Sequence, residues 1–392
     1  MKQKTKNISF QPDKIKGIKE AVKRIKEAIR KGEHIILYGD SDLDGISSVV
    51  ILEEAIKNLG GTINCVLFPD RETDGYGLNQ KALNILKNKA PALLITLDLG
   101  ICNIKEIDLA NKMGFEVIII DHHQPLEGIP KASIIIDPKQ LGDNSSFKGL
   151  ANVGVTFNLC LDLLGENISE NLKNSFLELA ALGTIADMVP QINQNKEIID
   201  QGLKSLRKTY RPALKVFMDI LGKDKTFEEF LPQITGALNA ADSLNFENDS
   251  YKLLTSSDEK KCIELAQKLL DLNKQKQEQV KIILQEVERR ISKKPEEAII
   301  FEGDPSWRLV LAGPVAANLC AKYGKPVFIY KKLDKESTGS VRAPKGTNLV
   351  DSMKTCSDLL IVFGGHAEAS GFRLKNENLE KFKDCLTKYF QK

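Results

Sequence analysis

Tyr38-Gly39-Asp40-Ser41-Asp42-Leu43-Asp44-Gly45 is the stretch that decides the fold. It follows an apolar run, Ile35 to Leu37, that reads as a short buried strand closed by a turn signal. Residues two apart in an extended chain share a face, so Asp40, Asp42 and Asp44 are expected to point one way. The chain then turns at Gly45, and the pattern predicts a helix over Ile46 to Leu59. Carboxylates crowded at a strand end repel one another, and a hard divalent cation relieves that repulsion. An Asp/Gly loop capping a helix is the other common use of these residues, and the stretch alone leaves both readings open.

The neighbouring sequence repeats the pattern. Residues 12–32 alternate Ile, Ala and Val with Lys and Glu at helical spacing. Ile63 to Phe68 reads as a second strand, ending in the Gly-punctuated loop Pro69-Asp70-Arg71-Glu72-Thr73-Asp74-Gly75-Tyr76-Gly77-Leu78. A helix is expected over 79–89. Ala92 to Leu97 is a third strand, stopping at Asp98-Leu99-Gly100, and a helix over 103–113 follows. Val117 to Ile120 stops at Asp121-His122-His123, and Ser133 to Ile136 at Asp137-Pro138-Lys139. Short buried strands alternating with helices predict an α/β, doubly wound parallel sheet, in which ligands bind beyond the carboxyl ends of the strands. The Asp and His residues all fall at those ends. A lone aspartate there is ordinarily a helix cap; three strands delivering acid or imidazole to one edge point to a metal site.

From about residue 150 to 250 the pattern is helical. A helix over 171–187 ends at Asp187, in apolar company before Pro190, where a carboxylate is either capped by backbone donors or bound to metal. Residues 258–293 contain no Pro or Gly and carry Leu and Ile at helical spacing, which predicts one long helix joining two domains. A smaller α/β unit follows. Its expected strands are Ala298 to Phe301, Arg308 to Leu311 and 326–330, with a helix over 314–323. It carries Gly339-Ser340-Val341-Arg342 and Phe363-Gly364-Gly365-His366, whose paired glycines permit close backbone approach to a ligand.

Composition bounds the function. The 392 residues suffice for roughly two or three domains. A net charge of only +3 means that any nucleic-acid site must be a local patch rather than a global field. The seven cysteines (65, 102, 160, 262, 320, 356, 385) form no C-x-x-C pair, so they are read as reduced thiols of a cytoplasmic protein, with no structural zinc. The Lys-rich start lacks the apolar core of a signal peptide, and no apolar run approaches the ~18 residues of a membrane span.

Together these motifs resemble the DHH phosphoesterase superfamily, and within it the RecJ-like exonucleases that carry a C-terminal DHHA1 domain. The matches run in family order: the Asp40/Asp42/Asp44-Gly45 run, Asp98-Leu99-Gly100, Asp121-His122-His123, Gly183-Thr184-Ile185-Ala186-Asp187 and Gly364-Gly365-His366, with the 69–78 loop similar to the family's Pro-x-Arg…Gly-Tyr-Gly segment. The resemblance implies three parts: a catalytic DHH domain with a helical subregion over 1–255, a connecting helix over 256–294, and a substrate-binding DHHA1 domain over 295–392. It implies a phosphodiesterase with two Mn²⁺ or Mg²⁺ ions held by Asp40, Asp42, Asp44, Asp98, His122 and Asp187, with Asp98 bridging. Oxygen ligands with one or two imidazoles suit Mn²⁺ and do not suit a soft metal. His123 is assigned to the scissile phosphate or to proton transfer. Arg71, Ser340 and Arg342 are assigned to a terminal 5′-phosphate, which Arg can grip bidentately, with Gly364, Gly365 and His366 completing the substrate site.

The activity so implied is 5′→3′ exonuclease action on single-stranded DNA rather than RNA, in a protein whose partners include replication or repair proteins and no membrane. Hydrolysis of RNA or short oligonucleotides by the same site is the rival. A scaffold in which the fold survives without catalysis is a third reading, opposed by the intact acids and imidazoles. Three departures from the family pattern stand out. Gly236-Ala237-Leu238-Asn239-Ala240-Ala241-Asp242-Ser243 lacks the two arginines of the corresponding family segment. Asn195-Lys196 replaces Asn-Arg, keeping charge but losing the fork. No oligonucleotide-binding barrel is expected after the Gly364 segment, so digestion is expected to be distributive.

Overall fold

The computed structural model describes residues 14–125, 128–222, 226–293 and 295–391. The Lys-rich start read for a signal peptide lies outside them, as do the first two residues of the expected 12–32 helix. In chain order the elements are α1 (Ile18–Lys31), β1 (Ile35–Gly39), α2 (Leu43–Asn58), β2 (Ile63–Leu67), α3 (Gln80–Leu86), β3 (Ala92–Leu97), α4 (Ile104–Lys112), β4 (Phe115–Ile120) and β5 (Ile134–Ile136). Helices α5 (Asn152–Leu164), α6 (Glu170–Ala186), α7 (Asn193–Leu206), α8 (Pro212–Leu221), α9 (Phe227–Leu238), α10 (Asp249–Leu254) and α11 (Glu259–Ile291) follow. The remainder comprises β6 (Ile300–Asp304), α12 (Leu309–Tyr323), β7 (Val327–Lys332), β8 (Glu336–Arg342), α13 (Leu349–Lys354), β9 (Leu360–Gly365), β10 (Ala369–Lys375) and α14 (Leu379–Phe390).

The chain divides into two compact units. The first holds residues up to Pro69 and Tyr76–Leu270; the second holds Asp70–Gly75 and everything from Asp271. Helix α11 thus starts in one and ends in the other, placing Ala266 and Leu269 in the first core and Ile283 and Val287 in the second.

The first unit is built on a parallel sheet of order β2-β1-β3-β4-β5. Both faces are covered, and the strands read accordingly as continuous apolar runs. Ile35 and Leu37 enter one core, with α1, α2 and α5; Ile36 and Tyr38 enter the other, with α3 and α4. The strand order reverses between β1 and β3, and a crevice opens at such a switch point. The second unit carries a mixed sheet of order β6-β7-β8-β10-β9, parallel only at β6–β7. One face packs on α11 and α12, the other on α13 and α14 through Phe301, Phe328, Phe372 and Phe382.

Three local expectations are corrected. Arg308 to Leu311 is not a strand: Arg308 is the N-cap of α12 and the next three residues its first turn. An apolar run that short has no period of its own, and the parallel β6–β7 pair demands a crossover helix between its strands. Helix α2 begins at Leu43 rather than Ile46, so Asp44 belongs to a helix and not to the strand. The seven cysteines are not all thiols. Cys356, just after α13, is bonded to Cys385 on α14, because the packing of those helices brings their Cα atoms to 6.2 Å across 29 residues of sequence. Cys65, Cys102, Cys160, Cys262 and Cys320 are not disulfide-bonded. Among the described residues no helix is long and apolar enough to cross a membrane.

Helices α6 and α7 meet at Gly202, where an added Cβ would lie 2.2 Å from the Leu177 carbonyl oxygen and 2.5 Å from the Ala181 Cβ. Gly202→Ala gains about 1 kcal/mol in helix propensity. It must also displace a backbone carbonyl, an overpacking cost of about 1–3 kcal/mol. The clash should win, and urea unfolding of Gly202→Ala should show a lower midpoint at unchanged slope.

Candidate metal centre

The residues at the switch point are fixed from below by backbone geometry. Asp40 leaves β1 with its Oδ1 accepting from Ser41 N–H at 2.7 Å. Gly45 is required beneath it, since a Cβ there would lie 2.4 Å from the Asp40 carbonyl oxygen. Asp42 is the N-cap of α2, accepting from Gly45 N–H at 3.1 Å, and Asn239 Oδ1 accepts from Leu43 N–H at 2.9 Å. Asp44, buried in the first turn, accepts from Asn152 and Val153 N–H at 2.8 and 2.7 Å and so holds the start of α5. The three aspartates therefore do not share one strand face, as extended chain would require. The helix start turns Asp44 toward α5 instead.

Asp98 closes β3 with φ 64°, a left-handed conformation that is uncommon outside glycine and is found where surrounding structure over-determines it. Its N–H donates to the Ile120 carbonyl at 2.9 Å. The Asn152 amide sits beside this bond; turned so that its oxygen faces Asp98 N, at 2.9 Å, it places its nitrogen 3.1 Å from Ile120 O and satisfies both groups. Asp98 Oδ1 is buried with no hydrogen-bond donor.

His122 is fully buried, and its Nδ1 lies 2.8 Å from the Leu150 carbonyl oxygen. A carbonyl can only accept, so Nδ1 carries the proton and Nε2 of the neutral ring presents a lone pair. That Nε2 lies 3.1 Å from Asp98 Oδ1, 3.7 Å from Asp187 Oδ2 and 3.8 Å from Asp44 Oδ2. Asp187 reaches the cluster from the C-cap of α6. His123 Nδ1 lies 2.7 Å from Asp121 Oδ1 and 4.0 Å from Asp98 Oδ1.

Burial, and then the neighbouring carboxylates, raise Asp44 and Asp98 well above the usual carboxylate range. Burial likewise lowers His122, keeping it neutral. Burial would also lower His123, but its pairing with Asp121 prevails and raises it. Asp121 stays ionised against its burial because His123 and the Ile101, His122 and His123 N–H groups all face it.

Among the described residues, Asp44/Asp98/His122, Asp40/Asp42/Asp98 and Asp98/Asp121/His123 each gather ligand atoms within 4.8 Å of one another, and Asp98 belongs to all three. A lone pair aimed at a buried carboxylate oxygen is repulsive unless a proton or a cation sits between them. The all-oxygen-and-imidazole donor set fits Mn²⁺ or Mg²⁺.

The structure brings together Asp40, Asp42, Asp44, Asp98, His122, His123 and Asp187. It places the other candidates on the second unit. Ser340 and Arg342 lie on β8, and Gly364 and Gly365 end β9. His366 turns the chain into β10, its N–H donating to the Ala369 carbonyl at 2.7 Å. Across that sheet Ser340, Gly371 and Gly364 stand in one register row. Arg71 belongs to the Asp70–Gly75 segment of the same unit.

Three residues with clear roles here carried no role in the sequence reading. Asp121 orients His123. Lys139 donates from Nζ to the His122 carbonyl. Asp137 is buried, with Oδ1 accepting from Lys139 N–H at 2.7 Å. Their signal was position alone, at the ends of β4 and β5.

Fold and site together define a class: a doubly wound α/β protein whose acid–imidazole cluster lies at the switch point of its sheet. Residues 34–184 match the model of the DHH family, N-terminal domain, and residues 296–392 that of the DHHA1 domain. The single-stranded-DNA-specific exonuclease RecJ of Bacillus subtilis is 36% identical over 390 residues, covering 97% of this chain and 49% of its own length. The enzyme of the same name from Salmonella typhimurium is 30% identical over 401 residues, covering 94% and 68%. A crystal structure of exonuclease RecJ bound to manganese superposes with a TM-score of 0.76 at 27% identity, over 96% of this chain and 95% of that one. The chain belongs to the DHH family, in its RecJ-like group with a C-terminal DHHA1 domain. It spans about half the length of the Bacillus relative.

Three outcomes follow from the site. Carboxyls held above their usual range must lose protons to accept a cation, so Mn²⁺ uptake measured by calorimetry should release protons, seen as a heat that varies with buffer ionisation enthalpy. Asp98→Asn should weaken uptake by more than the roughly 10–100-fold typical of losing an outer-shell partner. Asp137 is pushed up to about 8 by burial and by Asp121. A carboxyl raised on folding binds more protons folded than unfolded, so stability falls as pH rises from its unfolded value toward about 8. Asp137→Asn, which cannot ionise, should raise the melting temperature of the metal-free protein at pH 8 and lose that advantage at pH 4.

Proposed function

We propose that this chain is a divalent-metal-dependent exonuclease that degrades single-stranded DNA from the 5′ end. The observation that carries the reading is the neutral His122 Nε2 set 3.1 Å from the buried Asp98 Oδ1, at the centre of a carboxylate cluster. In this reading Asp40, Asp42, Asp44, Asp98, His122 and Asp187 would hold two ions, Mn²⁺ or Mg²⁺, and Asp98, common to the converging ligand groups, would serve both. When bound, such a pair activates water and neutralises charge on an in-line phosphoryl transition state. His123, whose protonated form is favoured by Asp121, serves the scissile phosphate as a hydrogen-bond donor and proton source. Arg71, Ser340 and Arg342 hold a terminal 5′-phosphate, with Gly364, Gly365 and His366 beside it. Residues 1–255 supply catalysis, 256–294 the link and 295–392 the substrate grip, in a cytoplasmic protein of DNA replication or repair. A scaffold without catalysis would gain nothing from carboxylates buried at this electrostatic cost.

One observation favours short substrates. The segment 236–243 contains no cation, and its Asn239 amide oxygen is occupied by Leu43 N–H. It therefore offers no charged grip on a passing strand.

The test is digestion of 5′- and 3′-end-labelled single-stranded DNA, RNA and dinucleotides with Mn²⁺. Single-stranded DNA should be shortened from its 5′ end, chelator should stop the reaction, and Asp98→Ala should fall to background while keeping its circular dichroism. Normal activity of Asp98→Ala, or digestion from the 3′ end, overturns the reading; preference for dinucleotides selects the short-substrate alternative.

A further inference from the structure

Asp70–Gly75 lies between β2 and α3 in sequence, yet it belongs to the second unit. It is a compact turn built by its own side chains. Asp70 Oδ1 accepts from Glu72 N–H at 2.9 Å, and Asp70 Oδ2 from the Thr73 hydroxyl at 3.1 Å. Asp74 N–H donates to the Asp70 carbonyl at 2.7 Å, and Asp74 Oδ2 accepts from Asp70 N–H at 3.2 Å. Such Asx-type bonds fix a turn's shape but not its place.

Glu72 ties the turn to its surroundings. Its Oε1 lies 2.6 Å from Lys331 Nζ on β7, and its Oε2 accepts from Val310 N–H at 3.3 Å. Val310 is the second residue of α12. Backbone N–H groups in the first turn of a helix have no partner within it, and the helix dipole there favours an anion. The side chains of Glu72 and Lys331 are 17% and 25% exposed, so solvent screens the pair only in part. One turn further along α12 stands Gly313. A Cβ there would lie 3.2 Å from Arg342 Nη2 and 3.8 Å from Ser340 Oγ. The turn that carries Arg71 is therefore bonded to α12 at position 310, and the side chains of Ser340 and Arg342 lie beside it at position 313, on the same helix face.

We propose that Glu72 is a positioning residue: it docks the 70–75 turn on the start of α12 and on β7, so that Arg71, Ser340 and Arg342 form one terminal-phosphate cradle carried by a single unit. This rests on the reading of those three residues as the phosphate anchor given above. Lys331 and the helix terminus neutralise the Glu72 carboxylate, so it does not oppose an incoming phosphate dianion.

The experiment compares otherwise identical strands bearing a 5′-phosphate or a 5′-hydroxyl, digested by the full chain with Mn²⁺. Glu72→Ala should raise KM for the phosphorylated strand about tenfold, the equivalent of one charge-assisted hydrogen bond, and leave KM for the hydroxyl strand and kcat for both unchanged. Glu72→Gln, which keeps an acceptor for Val310 N–H, should fall between. Limited trypsinolysis reads the docking without catalysis: Lys331→Ala leaves the Arg71–Glu72 bond intact, and cleavage there should accelerate over wild type. Equal losses on both strands, or unchanged KM values with unchanged cleavage at Arg71, overturn the role of Glu72 and leave the phosphate anchor standing. A wild-type protein that does not distinguish the two strands overturns the anchor itself, and the Glu72 role with it.

Discussion

Carboxylates forced together at the switch point are the constraint on which the first unit depends. Asp40 and Asp98 leave the ends of two adjacent strands, Asp42 caps α2 and Asp44 lies in its first turn, and burial of Asp40, Asp44 and Asp98 removes the water that would separate their charges. Everything around them holds this costly arrangement in place. Gly45 admits the Asp40 carbonyl, Asn152 sits against the Asp98 amide, and the Leu150 carbonyl fixes the His122 tautomer. Desolvation raises the two most buried acids, which is the physical form of the same tension. A divalent cation would relieve it, since the donor atoms already converge, and groups aimed in advance lose little conformational freedom on binding.

The parallel sheet was legible because its strands are buried on both faces and therefore read as apolar runs that stop abruptly at polar residues. Each stop falls at a carboxyl end, which is where a doubly wound sheet places its ligands. Position in the sequence thus reported position at the site for Asp98 and His122, whereas Asp187, open between a cap and a metal ligand, joined them only through the family resemblance. The errors arose where a local pattern carries no period. Leu309-Val310-Leu311 is apolar in strand or helix alike, and only the parallel pairing of β6 with β7 makes it a helix start. Cys356 and Cys385 looked scattered because the packing of two helices, not any spacing, brings them together. The allegiance of the 70–75 turn was equally hidden, since a Glu–Lys pair 259 residues apart leaves no trace in either neighbourhood.

Capping and metal binding stood as competing readings of the Asp-rich stretch, yet the structure makes them compatible. Asp42 caps α2, and Asp44 accepts two N–H groups at the start of α5, while both remain within the cluster. A carboxylate offers about four lone-pair sites, so two backbone bonds fix its orientation without exhausting it. The cap is then what aims the ligand. Helix N-termini supply donors that cannot move independently of the fold, and a side chain held by them is held as firmly as the helix. Glu72 uses the same device on α12 in the second unit, where a carboxylate on a helix start holds a turn rather than an ion. In both units the chain places acids where free backbone N–H groups already exist, so the groups that need exact placement are fixed by main-chain geometry rather than by the packing of long, flexible side chains.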